Sequence, residues 1–267
     1  MLSTLTLFGA IFAVVDADFS PSFNAFLTNN YGKEFADRMA RRDMGPAGSF
    51  GGGDHVAGKR TAFVRWMIQG VSAFTRRRVD VIGYSMGSPV ARKAILGGRC
   101  VDTGEELGPS LTALVDTFVS VAGANHGSFL CLLPFPGACN SVNGLSCISN
   151  FIKDINARQR YEGLHVFSVY SPQDDKVGHR NACGESTSSI AGADQEFQVS
   201  ETDFAIRLYS HSTETLFCTN ELPNLTANHD FLPSSSRSLR PGNHDQVMMN
   251  TIQLQANLIQ LHSAGEQ

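Results

Sequence analysis

One serine in this chain sits where a hydroxyl can become a nucleophile. Gly83-Tyr84-Ser85-Met86-Gly87 fits the pattern G-x-S-x-G. The match gains weight from its neighbours. Val79-Asp80-Val81-Ile82 is a short β-branched run that suits a buried strand, and Pro89 to Leu96 reads as a helix closed by Gly97-Gly98. A serine between a strand and a helix sits on a tight, strained turn that lifts its hydroxyl above the sheet, with the helix N-terminus beneath it. Gly83 and Gly87 are expected to give strand and helix room to approach. The competing reading of Ser85 is a buried turn serine.

The elements that would position such a serine follow along the chain. Apolar residues between Ala62 and Phe74 recur at helical spacing, and Arg76-Arg77-Arg78 ends that helix as a solvated basic terminus rather than a nucleic-acid patch. Leu114 to Ala122 and Leu164 to Tyr170 read as further strands, and Met248 to Leu261 as a closing helix. Strands separated by helices predict an α/β layered fold with a mostly parallel sheet. Asp18 to Gly58 is mixed and then Gly-rich, and reads as loop in its second part. Residues 198–241 lack periodicity and read as an irregular insert, with a lid as the functional alternative.

Four stretches, VDVIGYSMGSPVARKAILGG, VDTFVSVAGANHGSF, FSVYSPQDDKVG and GNHDQVMMNT, resemble the class 2 secreted triacylglycerol lipases of the α/β-hydrolase superfamily, and most of all the nematode secreted group. The resemblance covers roughly Ala62 to Phe197 and Gly242 to Gln267. It implies a single lipase domain over 18–267 with an α/β-hydrolase-like, mostly parallel sheet flanked by helices, incomplete on its N-terminal side. It also implies a secreted serine ester hydrolase that acts on lipid esters through an acyl-enzyme.

A serine alcohol needs a histidine to take its proton and a carboxylate to orient that histidine. In the resembled superfamily the chain order is Ser, then Asp or Glu, then His. Asp174 and Asp175 follow the Leu164–Tyr170 strand in a Pro-containing turn. The family pattern favours Asp174, with Asp175 its rival. Among the eight histidines, His55 and His126 precede the acid, and His179 lies too near it. His229 and His244 each stand in an Asn-His-Asp triplet. His244 precedes the closing helix, which Asp245 can cap, and is the expected base. His126 resembles part of a lipase signature and reads as structural or pocket-lining.

An oxyanion hole needs two backbone N–H donors. Met86 supplies one. The second usually comes from a His-Gly loop after an earlier strand, and no such strand is readable before Ser85, so that donor is unassigned. Gly51-Gly52-Gly53-Asp54-His55 is a glycine-rich loop without one. Relative to the resemblance, a block containing a strand, the oxyanion loop, a helix and another strand is expected to be missing between Gly53 and Ala62, as in an unusual splice form or an imperfect gene model. The rival function is therefore a catalytically impaired lipase-like lipid binder or truncated isoform. An acyltransferase using the same triad is a third option.

On the substrate side, Phe129, Leu130, Leu132, Leu133 and Phe135 form an apolar loop that could line an acyl-chain pocket or touch a lipid interface. Core packing pinned by Cys131 and Cys139 is the equal alternative.

Composition sets the outer bounds. The chain has 267 residues, 42% hydrophobic and 17% charged, with a formal charge of −4. That is globular composition, and mild acidity argues against a dedicated nucleic-acid binder. No apolar run is long enough for a multi-span membrane protein. Residues 1–17 read as a signal peptide. Cys100, Cys131, Cys139, Cys147, Cys183 and Cys218 are an even set expected to pair after export, and Asn224-Leu225-Thr226 is a glycosylation sequon. No metal or nucleotide motif is present, so no cofactor is expected.

Overall fold

The computed structural model describes residues 19–40, 58–132, 138–199 and 243–263. The expected signal peptide, the sequon, Cys218, His55, His229 and nearly all of the 198–241 insert lie outside the described residues. The chain divides into two compact units, Met1–Ala47 and Gly48–Gln267.

In the first unit, α1 (Pro21–Tyr31) and α2 (Lys33–Met39) form a helical pair that the sequence reading does not assign. Ser20 accepts the Phe23 N–H at 3.3 Å and Pro21 occupies the first helical position. Phe19 and Phe23 then meet edge to face, with centroids 5.0 Å apart.

The second unit holds a parallel sheet in the order β1-β2-β3-β4, made of Val79–Tyr84, Val115–Val121, His165–Tyr170 and Gln195–Gln198. All three strand pairings are parallel. Helices α3 (Gly58–Thr75) and α4 (Gly87–Leu96) precede and follow β1. Helix α5 (Asn150–Asn156) comes before β3. The closing helix is in fact two, α6 (His244–Asn250) and α7 (Ile252–Ser263), broken at Thr251. Thr251 leaves helical geometry (φ −105°, ψ 12°) and its hydroxyl turns back to the Val247 carbonyl at 2.6 Å.

The two-residue period of a strand sorts the core. Phe118 and Val166 enter one apolar cluster with Ile68, Ala91 and Ile95, on the α3–α4 side. Val119, Val121, Phe167 and Val169 enter another with Val247 and Leu258, on the α6–α7 side. Strands β2 and β3 are thus covered on both faces.

β1 is not the fully buried strand its β-branched run predicts. It stands at the edge of the described sheet, with Asp80 exposed and Ile82 43% exposed. Its pairing with β2 shifts register between Val79 and Val81, and the Asp80 carboxylate accepts the Thr117 N–H at 3.3 Å within that irregularity. Arg76, Arg77 and Arg78 are exposed at the end of α3, as a solvated helix terminus should be. No helix among the described residues is long and apolar enough to cross a membrane.

Cys131 pairs with Cys139, and Cys147 with Cys183. Cys100 does not follow the expected full pairing: it is a free, buried thiol, and burial raises its pKa.

Among the described residues the largest fully buried side chain is Arg92 of α4. Arg92 and Glu162 meet at 2.9 Å with side chains 1% and 0% exposed. Arg92 also donates to the Ile155 carbonyl and to Asn156 Oδ1, each at 3.0 Å. Removing one partner of such a pair leaves a charge in a low dielectric. Glu162→Gln is expected to destabilise the protein by about 3 kcal/mol, read as a lower urea midpoint at an unchanged m value.

Candidate active site

Ser85 follows β1 directly and has φ 54°, one of four non-glycine residues of positive φ among those described. Serine avoids that region because its Cβ crowds the backbone. Three hydrogen bonds hold it there. Its N–H donates to the Val121 carbonyl at 3.0 Å, and its own carbonyl accepts from Ser88 N–H at 3.2 Å and Ala124 N–H at 3.3 Å. The end of β2, the α4 start and the loop after β2 therefore all fix one residue.

Only one of the flanking glycines gives the expected room. A Cβ on Gly83 would lie 2.6 Å from Ser88 Cα, whereas one on Gly87 would meet nothing within 4 Å. Behind the turn, Ser88 Oγ lies 2.8 Å from Ser120 Oγ and 2.7 Å from Asn125 Oδ1, while Asn125 Nδ2 donates to the Ser188 carbonyl at 2.9 Å. This buried polar lattice ties α4 to β2. Sequence reasoning missed it, because nothing in the spacing of Ser88, Ser120 and Asn125 brings them together.

The acid and base candidates converge. His244 Nδ1 lies 2.8 Å from Asp174 Oδ2, with side chains 2% and 1% exposed. The other carboxylate oxygen of Asp174 accepts the N–H groups of Lys176 at 2.9 Å and Val177 at 2.8 Å. Asp175, the rival acid, instead accepts the backbone N–H of His244 at 3.0 Å. His244 is the first residue of α6, not a loop residue ahead of it. Its cap is Asn243, not Asp245: Asn243 and Gln246 form a capping box. The His244 ring packs against Tyr84, the residue before Ser85, with centroids 4.9 Å apart. With Nδ1–H donating to the carboxylate, the second ring nitrogen keeps a lone pair for a proton.

Tyr84 and Lys176, to which the sequence reading gave no role of their own, join the cluster through Asp245. Asp245 accepts the Tyr84 hydroxyl at 2.8 Å and pairs with Lys176 Nζ at 2.7 Å. The Lys176 ammonium, and then the Tyr84 hydrogen bond, hold the Asp245 carboxyl below the ordinary carboxylate value. Burial first, then Asp245, pushes the Tyr84 phenol up.

His126 stands apart from this pair. Its N–H donates to the Thr187 carbonyl at 2.9 Å, its ring lies 3.8 Å from Glu185, and burial lowers its pKa. It braces the loop after β2 against the loop of residues 181–187.

Phe129, Leu130 and Leu132 are 46%, 41% and 55% exposed on a short 3-10 segment kinked at Cys131, and so do not pack as core. That segment docks on the acid's own turn through Phe129 N–H to the Val177 carbonyl at 2.8 Å. Leu133 and Phe135 lie outside the described residues, as does the Gly51–Gly53 loop. Met86 is the N-cap residue of α4. No group of three His, Cys, Asp or Glu residues among the described residues could hold a metal.

Comparison with known proteins identifies the family. The family model described as Lipase (class 2) matches residues 54–217, more than half of the chain. Comparison with curated proteins gave no match. Among solved structures, Aspergillus fumigatus lipase B matches at 17% identity and a TM-score of 0.39, over 52% of this chain and 33% of that one. Phospholipase PlaB from Legionella pneumophila, in complex with thio-NAD, matches at 18% identity and a TM-score of 0.32, over 58% and 34%. The chain thus spans about a third of the length of these lipases. The extent of the family match decides the assignment: this chain belongs to the class 2 lipase family.

Proposed function

We propose that the chain is a secreted serine ester hydrolase of the triacylglycerol lipase type, with Ser85 as nucleophile, His244 as base and Asp174 as orienting acid. The observation that carries this reading is the buried 2.8 Å Asp174–His244 contact, packed on the residue before a serine of positive φ. Ser85 Oγ attacks the ester carbonyl while His244 takes its proton. His244 then gives the proton to the leaving alcohol, and water repeats the sequence on the acyl-enzyme. Asp174 keeps the ring in the tautomer that leaves the outer nitrogen free. The Met86 N–H faces the developing oxyanion. The exposed Phe129, Leu130 and Leu132 offer an apolar surface for acyl chains or for a lipid interface. Two disulfides fit an oxidising destination.

A second reading, a lipid binder with impaired turnover, draws on one observation. β1 is the edge of the described sheet, and the strand that would normally deliver the second oxyanion donor belongs beside it. Labelling by a fluorophosphonate and hydrolysis of a long-chain ester, measured on the same folded protein, separate the two. The lipase reading expects both, abolished together in Ser85→Ala. Labelling without hydrolysis supports the second reading. Labelling that persists in Ser85→Ala removes Ser85 from either.

Asp174→Asn is expected to lower kcat on the order of 10⁴-fold, because the imidazole loses its tautomer control. The strained serine makes a stability prediction of its own. Glycine adopts the φ 54° of residue 85 without strain, whereas alanine adopts it only at a cost, so Ser85→Gly should be more stable than Ser85→Ala by about 1 kcal/mol in thermal or urea unfolding.

A further inference from the structure

His244 is held by more than its carboxylate partner, and the additional contacts form a connected unit. The turn after β3 contributes Asp175, which accepts the His244 N–H at 3.0 Å, and Lys176, whose ammonium reaches both Asp245 oxygens at 2.7 Å. Strand β1 contributes Tyr84, whose ring packs on the imidazole and whose hydroxyl donates to Asp245 at 2.8 Å. One carboxylate therefore joins three elements: the acid's turn, the nucleophile strand and the helix that opens with His244. The acid's turn and α6 are 69 residues apart at the Lys176–Asp245 pair, and Tyr84 is 161 residues from Asp245, so no local chain geometry enforces the arrangement.

We propose that Lys176, Asp245 and Tyr84 act as positioning residues, docking the His244 turn on the nucleophile strand and fixing the net charge beside the imidazole. The inference deepens the proposed hydrolase reading and rests on it for its catalytic meaning. Among the described residues the ionisable groups facing His244 are Asp174, Asp175 and Lys176 from the turn after β3, Tyr84 from β1, and Asp245 from α6 itself. Asp174 is committed to the ring and Asp175 to the backbone. Lys176 and Asp245 are the opposed pair whose removal, singly, changes the charge without removing the carboxylate that orients the ring. Both are partly exposed, with side chains 40% and 65% accessible, so substitution there is tolerated by the fold.

The sign of each change follows from electrostatics. Lys176→Met leaves Asp245 unneutralised and favours the imidazolium. Asp245→Asn leaves Lys176 unneutralised and disfavours it, while the carbonyl of the introduced amide can still accept from Tyr84. The double substitution removes both charges. The experiment is a ¹³C NMR titration of ring-labelled histidine in the full chain, with the His244 signals identified by their loss in His244→Gln, run beside the kcat/KM–pH profile. The single variants are expected to move the His244 titration midpoint in opposite directions by about half a pH unit, upward for Lys176→Met and downward for Asp245→Asn. The double variant is expected to return it towards the wild-type position, and high salt to shrink both shifts. The acid limb of kcat/KM should follow the same order, and Tyr84→Phe should lower kcat with KM unchanged. Midpoints that stay put, or that move in the same direction in both single variants, overturn the inference. A wild-type protein without ester hydrolysis overturns the hydrolase reading, and the titration still decides whether the cluster governs His244.

Discussion

The structure depends on a carboxylate taken out of water that must still act as an acceptor. Asp174 is buried, and a carboxylate taken out of water without hydrogen-bond donors is costly. Three donors offset that cost: the Lys176 and Val177 N–H groups on one oxygen and the His244 ring on the other. The two backbone donors come from the same turn and cost little chain entropy. The third arrives from 70 residues downstream, so its position needs anchors of its own. The capping box at Asn243, the Asp175 bond to the His244 N–H and the Lys176–Asp245 pair provide them. Each is modest alone, as partly exposed pairs and caps are. Together they fix the first turn of α6 against the turn after β3, and the Asp174 charge is left with a partner on each oxygen.

The same logic of local strain held by distant contacts governs Ser85. A positive φ at serine persists only if its surroundings over-determine it. Here the β2 carbonyl of Val121 and the N–H of Ala124 bracket the residue, and Ser88 closes the turn. The close approach at Gly83 brings Ser88 down onto the strand, where its hydroxyl joins the lattice with Ser120 and Asn125. The strain at Ser85 and the buried polar lattice are thus one construction. The loop after β2 both pins the serine and supplies Asn125.

Much of this is legible in the sequence, and the reasons differ by element. β2 and β3 agree with their apolar runs to within a residue, because both faces are buried and β-branched and aromatic residues together dominate them. The Ser85, Asp174 and His244 candidates can be chosen by turn position and by family order. The paired helices at 21–39 escape the reading although Ser20-Pro21 is a helix start, because their apolar residues are interrupted by exposed polar ones. β4 escapes it because Gln195-Glu196-Phe197-Gln198 is mostly polar and only edge-paired. The break at Thr251 carries neither Gly nor Pro, so one helical period runs across it. Arg92 with Glu162, and Lys176 with Asp245, are pairings across 70 and 69 residues. A charge gives no sequence signal of its partner at that distance.

The edge position of β1 decides how the two functional readings differ. In the described part of its unit, β1 is preceded by helix α3 rather than by a strand. Asp80 and Ile82 are both exposed along it, and a charge on an edge strand discourages pairing with another chain. The serine turn, however, is fixed from the inner side, through β2 and α4. The geometry of Ser85, His244 and Asp174 therefore does not rely on a neighbour beyond β1. What such a neighbour would add is a second oxyanion donor, and one donor is worth about 3 kcal/mol, or roughly 10² to 10³ in rate. The choice between lipase and impaired lipase is thus one of turnover rate. The chemistry of acylation at Ser85 is common to both.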